Sequence, residues 1–336
     1  MSEMPSSDIT MPVRDVQEVR MDFKQLKAMV TVAEVGSVTK AAELLHLVQP
    51  AVTRQIRMLE QELGVALFER TRQGMRPTEA GTVMVERARR ALHELDRARA
   101  ELRPAPGVVT GVITVGLLES AADLLAESLV SALAHDHPGI ELRVLTGYSG
   151  HLQRWLDDGD LDLSLLYNLT STPSLNVEPL ARERLWVVAP PSDDLHADRP
   201  ITLDEVATHP MVMPAPGHAL RALIDGAAAQ TEVSFQVTVQ TNSLRLQKLL
   251  VLGGHGWTIL PGVGIADDVA NGTLSAAPLC EPEVWRLIVL GMPRTGRVPA
   301  AAEVVAAELI RQVRSGVTEG RWPSARLVDR SGIAAD

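Results

Sequence analysis

A change in the spacing of apolar residues near position 104 divides the chain into two parts of different design. From residue 21 to residue 103 every long segment has apolar side chains at helical spacing. The run Pro104-Ala105-Pro106-Gly107 then interrupts that spacing. Beyond it, β-rich runs at residues 112–115, 142–145, 161–166 and 185–189 alternate with helical patterns. This alternation predicts an α/β domain with a largely parallel sheet behind a helical N-terminal part.

The length and composition favour two domains. The chain has 336 residues, and 46% of them are hydrophobic, which is enough to bury more than one core. Residues 1–20 have no sustained periodicity and predict a disordered leader, with Met11 and Met21 as alternative starts. We find no uninterrupted apolar stretch of about 18 residues and no signal peptide, and so expect a cytoplasmic protein without a membrane partner. The single cysteine, Cys280, has apolar neighbours and is interpreted as an inert thiol rather than a nucleophile.

The charge is distributed unevenly along the chain. The formal net charge is -10, but residues 21–103 carry 14 Lys and Arg against 11 Asp and Glu, whereas the residues from 104 onward carry 16 against 27. Charges separated by more than a Debye length of about 8 Å are largely screened. The acidic C-terminal part therefore does not prevent the N-terminal part from binding a polyanion.

Three short helices are predicted at the start of the N-terminal part. The first ends at Gly36, and Ser37 caps the second. A turn at His46 and Leu47 leads into the third, which ends at Gly64. The third helix carries an apolar stripe of Val48, Val52, Ile56, Leu59 and Leu63. Its other faces carry Gln49, Thr53, Arg54 and Arg57.

This layout is typical of a helix-turn-helix, in which one helix packs across and the next presents polar side chains to a major groove. Gln can bond adenine, Arg can bond guanine or a phosphate, and Thr can do either. The segment that follows places three arginines around a glycine turn, a composition suited to a wing along the sugar-phosphate backbone. Periodicity alone leaves open an ordinary helical bundle with a solvated arginine face.

The order of residues in this region resembles the signature of the LysR-type transcriptional regulators. The resemblance is carried by SVTKAAELLHLVQPAVTRQIRMLEQELG at residues 37–64, LFER at 67–70 and PTEAG at 77–81. It implies a winged helix-turn-helix over residues 21–79 that binds double-stranded promoter DNA. The DNA-binding residues that we expect are Ser37, Thr39, Gln49, Pro50, Thr53, Arg54, Arg57, Arg70, Arg72 and Arg76. The family usually has Ser or a similar small polar residue where this chain has Val48, so one helix cap and one phosphate contact are missing.

A long helix is predicted between residues 78 and 103, because this segment has no proline and no glycine after Gly81. Its apolar residues recur at spacings of four and three: Met84, Ala88, Ala91, Leu95, Ala98 and Leu102. Such a seam favours pairing with the same helix of a second copy, and the alternative is a lone helix packed on its own domain. We assign residues 80–106 to a linker, dimerisation helix and hinge. The family resemblance implies a dimer that sensor domains extend to a tetramer.

The same resemblance implies a periplasmic-binding-protein-like effector-binding domain over residues 107–314. Its first lobe would comprise residues 110–185 and 283–314 and its second lobe residues 186–282, followed by a flexible tail at 315–336. Ligands of open α/β sheets bind beyond the carboxyl ends of the strands. The residues expected there are Ser120, Tyr148, Ser149, His151, Asn168, Pro214, His218, Asn242 and Ser243. Each of them could instead be a helix cap or turn residue.

No cofactor and no metal site is predicted. The run Gly253-Gly254-His255-Gly256 lacks a Walker Lys-Ser/Thr, and the histidines lack zinc-ligand spacing. The leading hypothesis is a transcription regulator that changes DNA geometry or RNA polymerase contact when a small-molecule effector closes the two lobes. The alternatives are a solute-binding protein that only oligomerises through its N-terminal helices, and a cytoplasmic enzyme, for which no nucleophile-base motif is evident.

Overall fold

The computed structural model describes residues 21–72, 74–102, 109–294 and 298–328, except the side chains of residues 93, 96, 97 and 99–102 within one helix. The helices are α1 (Phe23–Val35), α2 (Val38–Leu44), α3 (Gln49–Leu63), α4 (Glu79–Leu102), α5 (Glu119–Asp136), α6 (Ser149–Asp157), α7 (Leu203–Ala207), α8 (Ala219–Gln230), α9 (Leu244–Leu252), α10 (Ala266–Ala270) and α11 (Ala300–Thr318). The strands are β1 (Phe68–Thr71), β2 (Gly74–Pro77), β3 (Gly111–Leu118), β4 (Ile140–Gly147), β5 (Leu163–Tyr167), β6 (Leu175–Ala189), β7 (Ile201–Thr202), β8 (Met211–Met213), β9 (Val237–Gln240), β10 (Thr258–Pro261), β11 (Ser275–Cys280), β12 (Trp285–Pro293) and β13 (Ala325–Leu327). These elements form two compact units that divide within α4, between Glu94 and Leu95.

The N-terminal unit is the predicted trihelical arrangement with a two-stranded wing. Gly36 and Gly64 adopt left-handed backbone conformations, with φ of 63° and 70°, and end α1 and α3 as predicted. The Ser37 hydroxyl accepts a hydrogen bond from the Lys40 amide and caps α2. The three helices bury one core, which includes Met29, Val52 and Leu59.

The wing is held against the helices by backbone contacts that tolerate no side chain. The Met75 amide donates to the Gly36 carbonyl at 2.8 Å, and a Cβ on Gly74 would lie 2.3 Å from that same oxygen. The Glu60 carboxylate, at the end of α3, accepts hydrogen bonds from the amides of Leu67 and Phe68. Because α3 and the start of β1 share this carboxylate, the wing has a fixed position relative to α3.

The C-terminal unit contains a sheet that is mixed rather than largely parallel, so that part of the prediction was wrong. Strands β3, β4 and β5 are parallel to one another, but β12 is antiparallel to both β5 and β6. The 15-residue strand β6 also pairs antiparallel with β10, β11 and β13. Only its last five residues were predicted as a strand, because charged residues such as Glu178 and Glu183 interrupt the apolar run before them.

Strand β6 runs through two separate hydrophobic cores. The first core contains Leu175 and Ala181 from this strand together with residues of β3, β5, α5 and α11. The second core contains Leu185 and Val187 together with residues of β8, β10 and β11. The chain returns from the second core to the first between β11 and β12. The unit therefore has two lobes joined by continuous strands.

The predicted flexible tail is wrong for residues 315–328. Helix α11 continues to Thr318, and β13 adds to β6 through pairing of Arg326 with Arg182. The Trp322 side chain is fully buried in the first core. The burial of Trp322 could not be predicted from the sequence, because its neighbours in the chain are polar and a single tryptophan gives no apolar periodicity. Residues 329–336 of the predicted tail and the predicted leader lie outside the described residues.

Candidate DNA-binding surface and effector cavity

Helix α3 presents most of its predicted DNA-binding residues to solvent. Gln49, Pro50, Arg54 and Arg57 are exposed, and Thr53 is half-buried with its hydroxyl donating to the Gln49 carbonyl at 3.1 Å. These residues lie around and opposite the buried stripe formed by Val52, Ile56 and Leu59. On α2, Thr39 is exposed beside the Ser37 cap.

The first residue of the predicted stripe does not belong to it. Val48 is the N-cap of α3, with φ -85° and ψ 144°, and its side chain makes no capping bond. This extended conformation removes Val48 from the helical period, and 69% of the residue is exposed. The prediction that Val48 is buried was therefore wrong, whereas the predicted absence of a cap is confirmed.

The wing carries its arginines on more than one face. Opposite residues of an antiparallel pair share a face, so Arg70 lies with Met75 and Arg76 lies with Glu69 on the other face. Arg72 lies beyond the end of β1, and all three arginines are exposed. None of these arginines, nor Arg54 or Arg57, forms an ion pair with any residue that the structure describes.

The predicted dimerisation seam of α4 is partly used within the N-terminal unit itself. Ala88 is buried in the trihelical core, and Met84 packs against that core. The first half of α4 therefore packs on its own domain, which was the alternative to pairing with a second copy. Farther along, Ala91 and Ala98 are exposed and Leu95 is half-buried, and the side chain of Leu102 lies outside the described part.

In the C-terminal unit, a cavity of about 40 Å³ lies between the two lobes. The nine expected residues lie at the carboxyl ends of β3, β4, β5, β8 and β9, and the segments at all five ends supply residues to its wall. The predicted residues that line it are Ser120, Tyr148, His218 and Asn242. Further lining residues that the prediction did not include among the candidates are Glu119, Tyr167, Gln247 and Arg286.

The other predicted effector residues have local bonding roles in this structure. The Ser149 hydroxyl accepts from the Tyr167 amide, Asn168 exchanges hydrogen bonds with Leu287 across the strand edge, and Ser243 caps α9. His151 lies behind Tyr148 and bonds its hydroxyl at 2.8 Å, and the Pro214 carbonyl accepts from Arg221. Several of the expected ligand-binding residues thus have a local structural role, as the alternative of a cap or turn residue predicted.

Arg286, which lines the cavity, forms a buried ion pair with Glu183. Arg286 is 3% exposed, and its Nε donates to Glu183 Oε2 at 2.8 Å. The second carboxylate oxygen of Glu183 accepts from the Val263 amide, the Trp322 indole and the Ser324 hydroxyl. Because β6, β12 and the segment after α11 all contribute to this network, local sequence reasoning could not identify Arg286.

Arg286 connects this ion pair to the cavity wall. Its Nη2 donates to the Ser120 hydroxyl at 2.7 Å, and its guanidinium lies 5.0 Å from the ring centroid of Tyr167. Ser120 stands in the first turn of α5, which begins without a side-chain cap. Glu183 compensates the charge of Arg286, so the cavity wall offers hydrogen-bond donors without a large net positive charge.

Tyr167, which lines the cavity, has a buried hydroxyl group. The residue is 5% exposed, and its buried hydroxyl has no hydrogen-bond partner among the described residues. Burial raises the pKa of this phenol, against smaller opposing effects of the Arg286 charge and of the nearby Leu220 amide, which donates its hydrogen bond to His218 instead. The hydroxyl is therefore protonated near neutral pH and can donate to a group in the cavity. A buried polar group without a partner is costly, which marks this position as a ligand-binding candidate.

Aromatic residues from both lobes meet in the cavity wall. The His218 ring of the second lobe lies 4.7 Å from the Tyr148 ring of the first lobe. The Leu220 amide donates to His218 Nδ1 at 3.1 Å. Burial, together with the Arg286 charge and His151, lowers the pKa of His218 to about 4. His218 is thus a neutral imidazole at neutral pH and can donate from Nε2.

Cys280 lies at the end of β11, away from this cavity. Burial raises the pKa of its thiol, and the carboxylate of Glu281 raises it further. Little thiolate is present near neutral pH, which agrees with the interpretation of an inert thiol.

These features define a class of protein: a helix-turn-helix unit joined to a two-lobed ligand-binding domain. Two family descriptions match the chain, "Bacterial regulatory helix-turn-helix protein, lysR family" at residues 23–82 and "LysR substrate binding domain" at residues 106–314. The chain belongs to the LysR family. It is a DNA-binding transcription regulator with an effector-binding domain, and not an enzyme.

Individual relatives agree with this assignment over most of their length. The chain is 30% identical over 309 residues to the HTH-type transcriptional regulator BbuR of Bordetella bronchiseptica, covering 90% of this chain and 93% of that one. It is 27% identical over 294 residues to the dual regulator OxyR of Escherichia coli, covering 86% and 96%. The fold matches that of full-length CbnR complexed with its target DNA, with a TM-score of 0.63, 22% identity and coverage of 88% and 99%. Within its described part, the chain has no helix of the length and apolar character that a membrane span requires.

Proposed function

We propose that this protein binds promoter DNA with α3 and the wing, and that a small-molecule effector in the cavity between the lobes controls that binding. The observation that carries the DNA-binding assignment is the set of five exposed arginines on α3 and the wing that form no ion pair with any described residue. Cations of this kind can replace the counterions of a polyphosphate. Arginine on both faces of the wing suits a ribbon that meets phosphates on either side of a groove.

Each predicted contact residue has a distinct role in this proposal. Gln49, Thr53 and Arg54 reach base edges, because they stand in the first turns of α3. Pro50 fixes the start of that helix, because its missing amide needs no partner. Phosphates are contacted by Ser37, Thr39, Arg57, Arg70, Arg72 and Arg76.

A salt-dependent binding assay tests the DNA-binding role. The full-length protein first selects its preferred sites from a random duplex library, and its affinity for the selected duplex is then measured at increasing salt. We expect affinity to fall steeply with salt and the Arg72→Ala variant to show a smaller slope. Arg89 of α4, which forms an ion pair with Glu34 of α1, supplies the control variant Arg89→Ala. A wild-type protein that selects no sequence and shows no salt dependence would contradict the proposal.

The residues that line the cavity suit a small effector with hydrogen-bond acceptors and at most one negative charge. The hydroxyls of Tyr167 and Ser120, the neutral imidazole of His218 and the first amides of α5 can all donate to it. The pairing of Arg286 with Glu183 disfavours a multiply charged anion. A thermal-shift screen of metabolites against the full chain tests this assignment, because an effector that binds only the folded state raises the unfolding temperature. Hits that persist unchanged in both Tyr167→Phe and Asn242→Ala would place the effector elsewhere.

We further propose that the functional unit is a dimer or tetramer in the cytoplasm, where it reaches promoter DNA and can contact RNA polymerase. Support comes from the exposed residues Ala91 and Ala98 on α4 and from three exposed leucines on one face of α9, Leu246, Leu249 and Leu252. Analytical ultracentrifugation tests the assembly, and Leu249→Glu should reduce it. A wild-type protein that stays monomeric at micromolar concentration would refute this part of the proposal.

A further inference from the structure

Helix α3 has an exposed apolar side chain at the end that carries the proposed base-contacting residues. Val48 immediately precedes Gln49, and 69% of it is exposed to solvent. Its extended backbone turns the side chain away from the buried stripe. Val48 therefore contributes nothing to the core of the N-terminal unit.

The start of α3 does not need a capping side chain at this position. Pro50 has no amide hydrogen, and the Ala51 amide already donates to the Val48 carbonyl at 2.9 Å. A polar residue at position 48 would thus have few amides left to cap. Neither packing nor capping explains a valine here, so the local fold does not require it.

The chemistry of the valine side chain restricts what it can recognise. An isopropyl group has no hydrogen-bonding atom and cannot bind a phosphate oxygen. The edges of the base pairs in the major groove carry one apolar group, the 5-methyl group of thymine. From these observations, and on the basis of the proposed DNA-binding role of α3, we infer that Val48 contacts a thymine methyl group and sets part of the sequence specificity.

Replacement of thymine by uracil tests this inference, because uracil lacks only the methyl group. In the duplex selected by the wild-type full-length protein, each thymine is replaced by uracil in turn and the affinity is measured. We expect at least one position at which the replacement weakens wild-type binding about fourfold, the change that corresponds to burial of one methyl group. The Val48→Ser variant should bind the thymine and uracil duplexes equally at that position.

Two further variants make the comparison specific. Val65, which is 46% exposed, lies beyond the opposite end of α3, and Val65→Ser should keep the wild-type preference for thymine. Val48→Thr retains one methyl group and should show an intermediate preference. Circular dichroism and thermal unfolding verify that all variants are folded as the wild type is.

The outcomes separate this inference from the proposed function on which it rests. Wild-type protein that binds its selected duplex but is indifferent to uracil at every position would overturn the role of Val48 and leave the DNA-binding role intact. A methyl preference that persists in Val48→Ser would assign the contact to another residue and also overturn the inference. Failure of the wild type to bind or select any duplex would overturn both.

Discussion

The two compact units hold their functional side chains in opposite states. The arginines of α3 and the wing are exposed and form no ion pairs with described residues, whereas Arg286 of the cavity between the lobes is buried and bonded to both Glu183 and Ser120. The first arrangement suits a large ligand that brings its own dense charge. The second suits a small ligand, which must find a position already fixed by the protein. Substitutions in the two units should therefore have different consequences, chiefly on binding in the first and on stability in the second.

The largest effect is expected from Glu183→Gln. This change removes the charge that compensates Arg286 and leaves a buried cation unpaired, which costs about 3–5 kcal/mol of the free energy of unfolding. Chemical denaturation of the full chain, followed by tryptophan fluorescence, measures the loss, because all five tryptophans lie beyond residue 150. The exposed pair of Glu141 and Arg143 supplies the control Glu141→Gln, for which about 1 kcal/mol or less is expected. Equal losses in the two variants would mean that the buried pair of Glu183 and Arg286 contributes no more to stability than an exposed pair does.

Arg54→Ala should have the next largest effect, and on binding alone. The loss of a charged contact to a base or phosphate costs about 1–3 kcal/mol of binding free energy, while the exposed position of Arg54 predicts an unchanged unfolding midpoint. Fluorescence anisotropy with the selected duplex and thermal unfolding measure the two quantities on the same sample. Unchanged affinity would remove Arg54 from the recognition surface.

The pH dependence of stability should report His218. Because the pKa of His218 is lowered to about 4 in the folded protein, the unfolded chain takes up a proton that the folded chain does not take up as the pH falls below about 6.5. His218 therefore contributes stability above that pH and loses the contribution between about pH 6.5 and 4. In His218→Asn, which retains an acceptor for the Leu220 amide, unfolding midpoints at pH 7 and 4.5 should differ less than in the wild type. The exposed His135 provides the control His135→Asn, and the same pH dependence in wild type and His218→Asn would contradict the assignment.

The smallest effect is expected from Tyr167→Phe without effector. Removal of a buried hydroxyl that bonds to no described residue should leave stability unchanged or raise it by up to about 1 kcal/mol. The same variant should bind the effector more weakly, since the hydroxyl is available to donate to it. Thermal unfolding with and without a confirmed effector measures both changes. A marked loss of stability in the free variant would mean that this hydroxyl already has a bonding partner in the free protein.

The contrast between the units also explains how much could be predicted from the sequence. In the N-terminal unit, helix ends at Gly36 and Gly64 and the polar face of α3 depend on neighbouring residues, and these predictions are confirmed. The exposure of Val48 was not predicted, because an N-cap residue has an extended backbone and does not follow the helical period. The role of Glu60 in holding the wing was not predicted, because it depends on hydrogen bonds from amides seven and eight residues away.

In the effector domain, the rule that ligands bind beyond strand ends located the loops that line the cavity. It did not identify Arg286 or its partner Glu183. Ser120 and Glu183 are linked through Arg286, which lies 166 residues after Ser120 and 103 residues after Glu183. Hydrophobic periodicity contains no information about such separations. It also could not identify Trp322, whose burial depends on the pairing of β13 with β6.

The position of Trp322 and Ser324 has a consequence for the nascent chain. The N-terminal unit ends at Glu94, whereas the carboxylate that holds Arg286 gains its last two donors only from residues 322 and 324. At about 5–20 residues per second, a ribosome needs on the order of ten to fifty seconds to cover the interval. We expect the helical head to fold during that time, before any effector can be sensed, so newly made protein acquires its responsiveness only after residues 322 and 324 have been made.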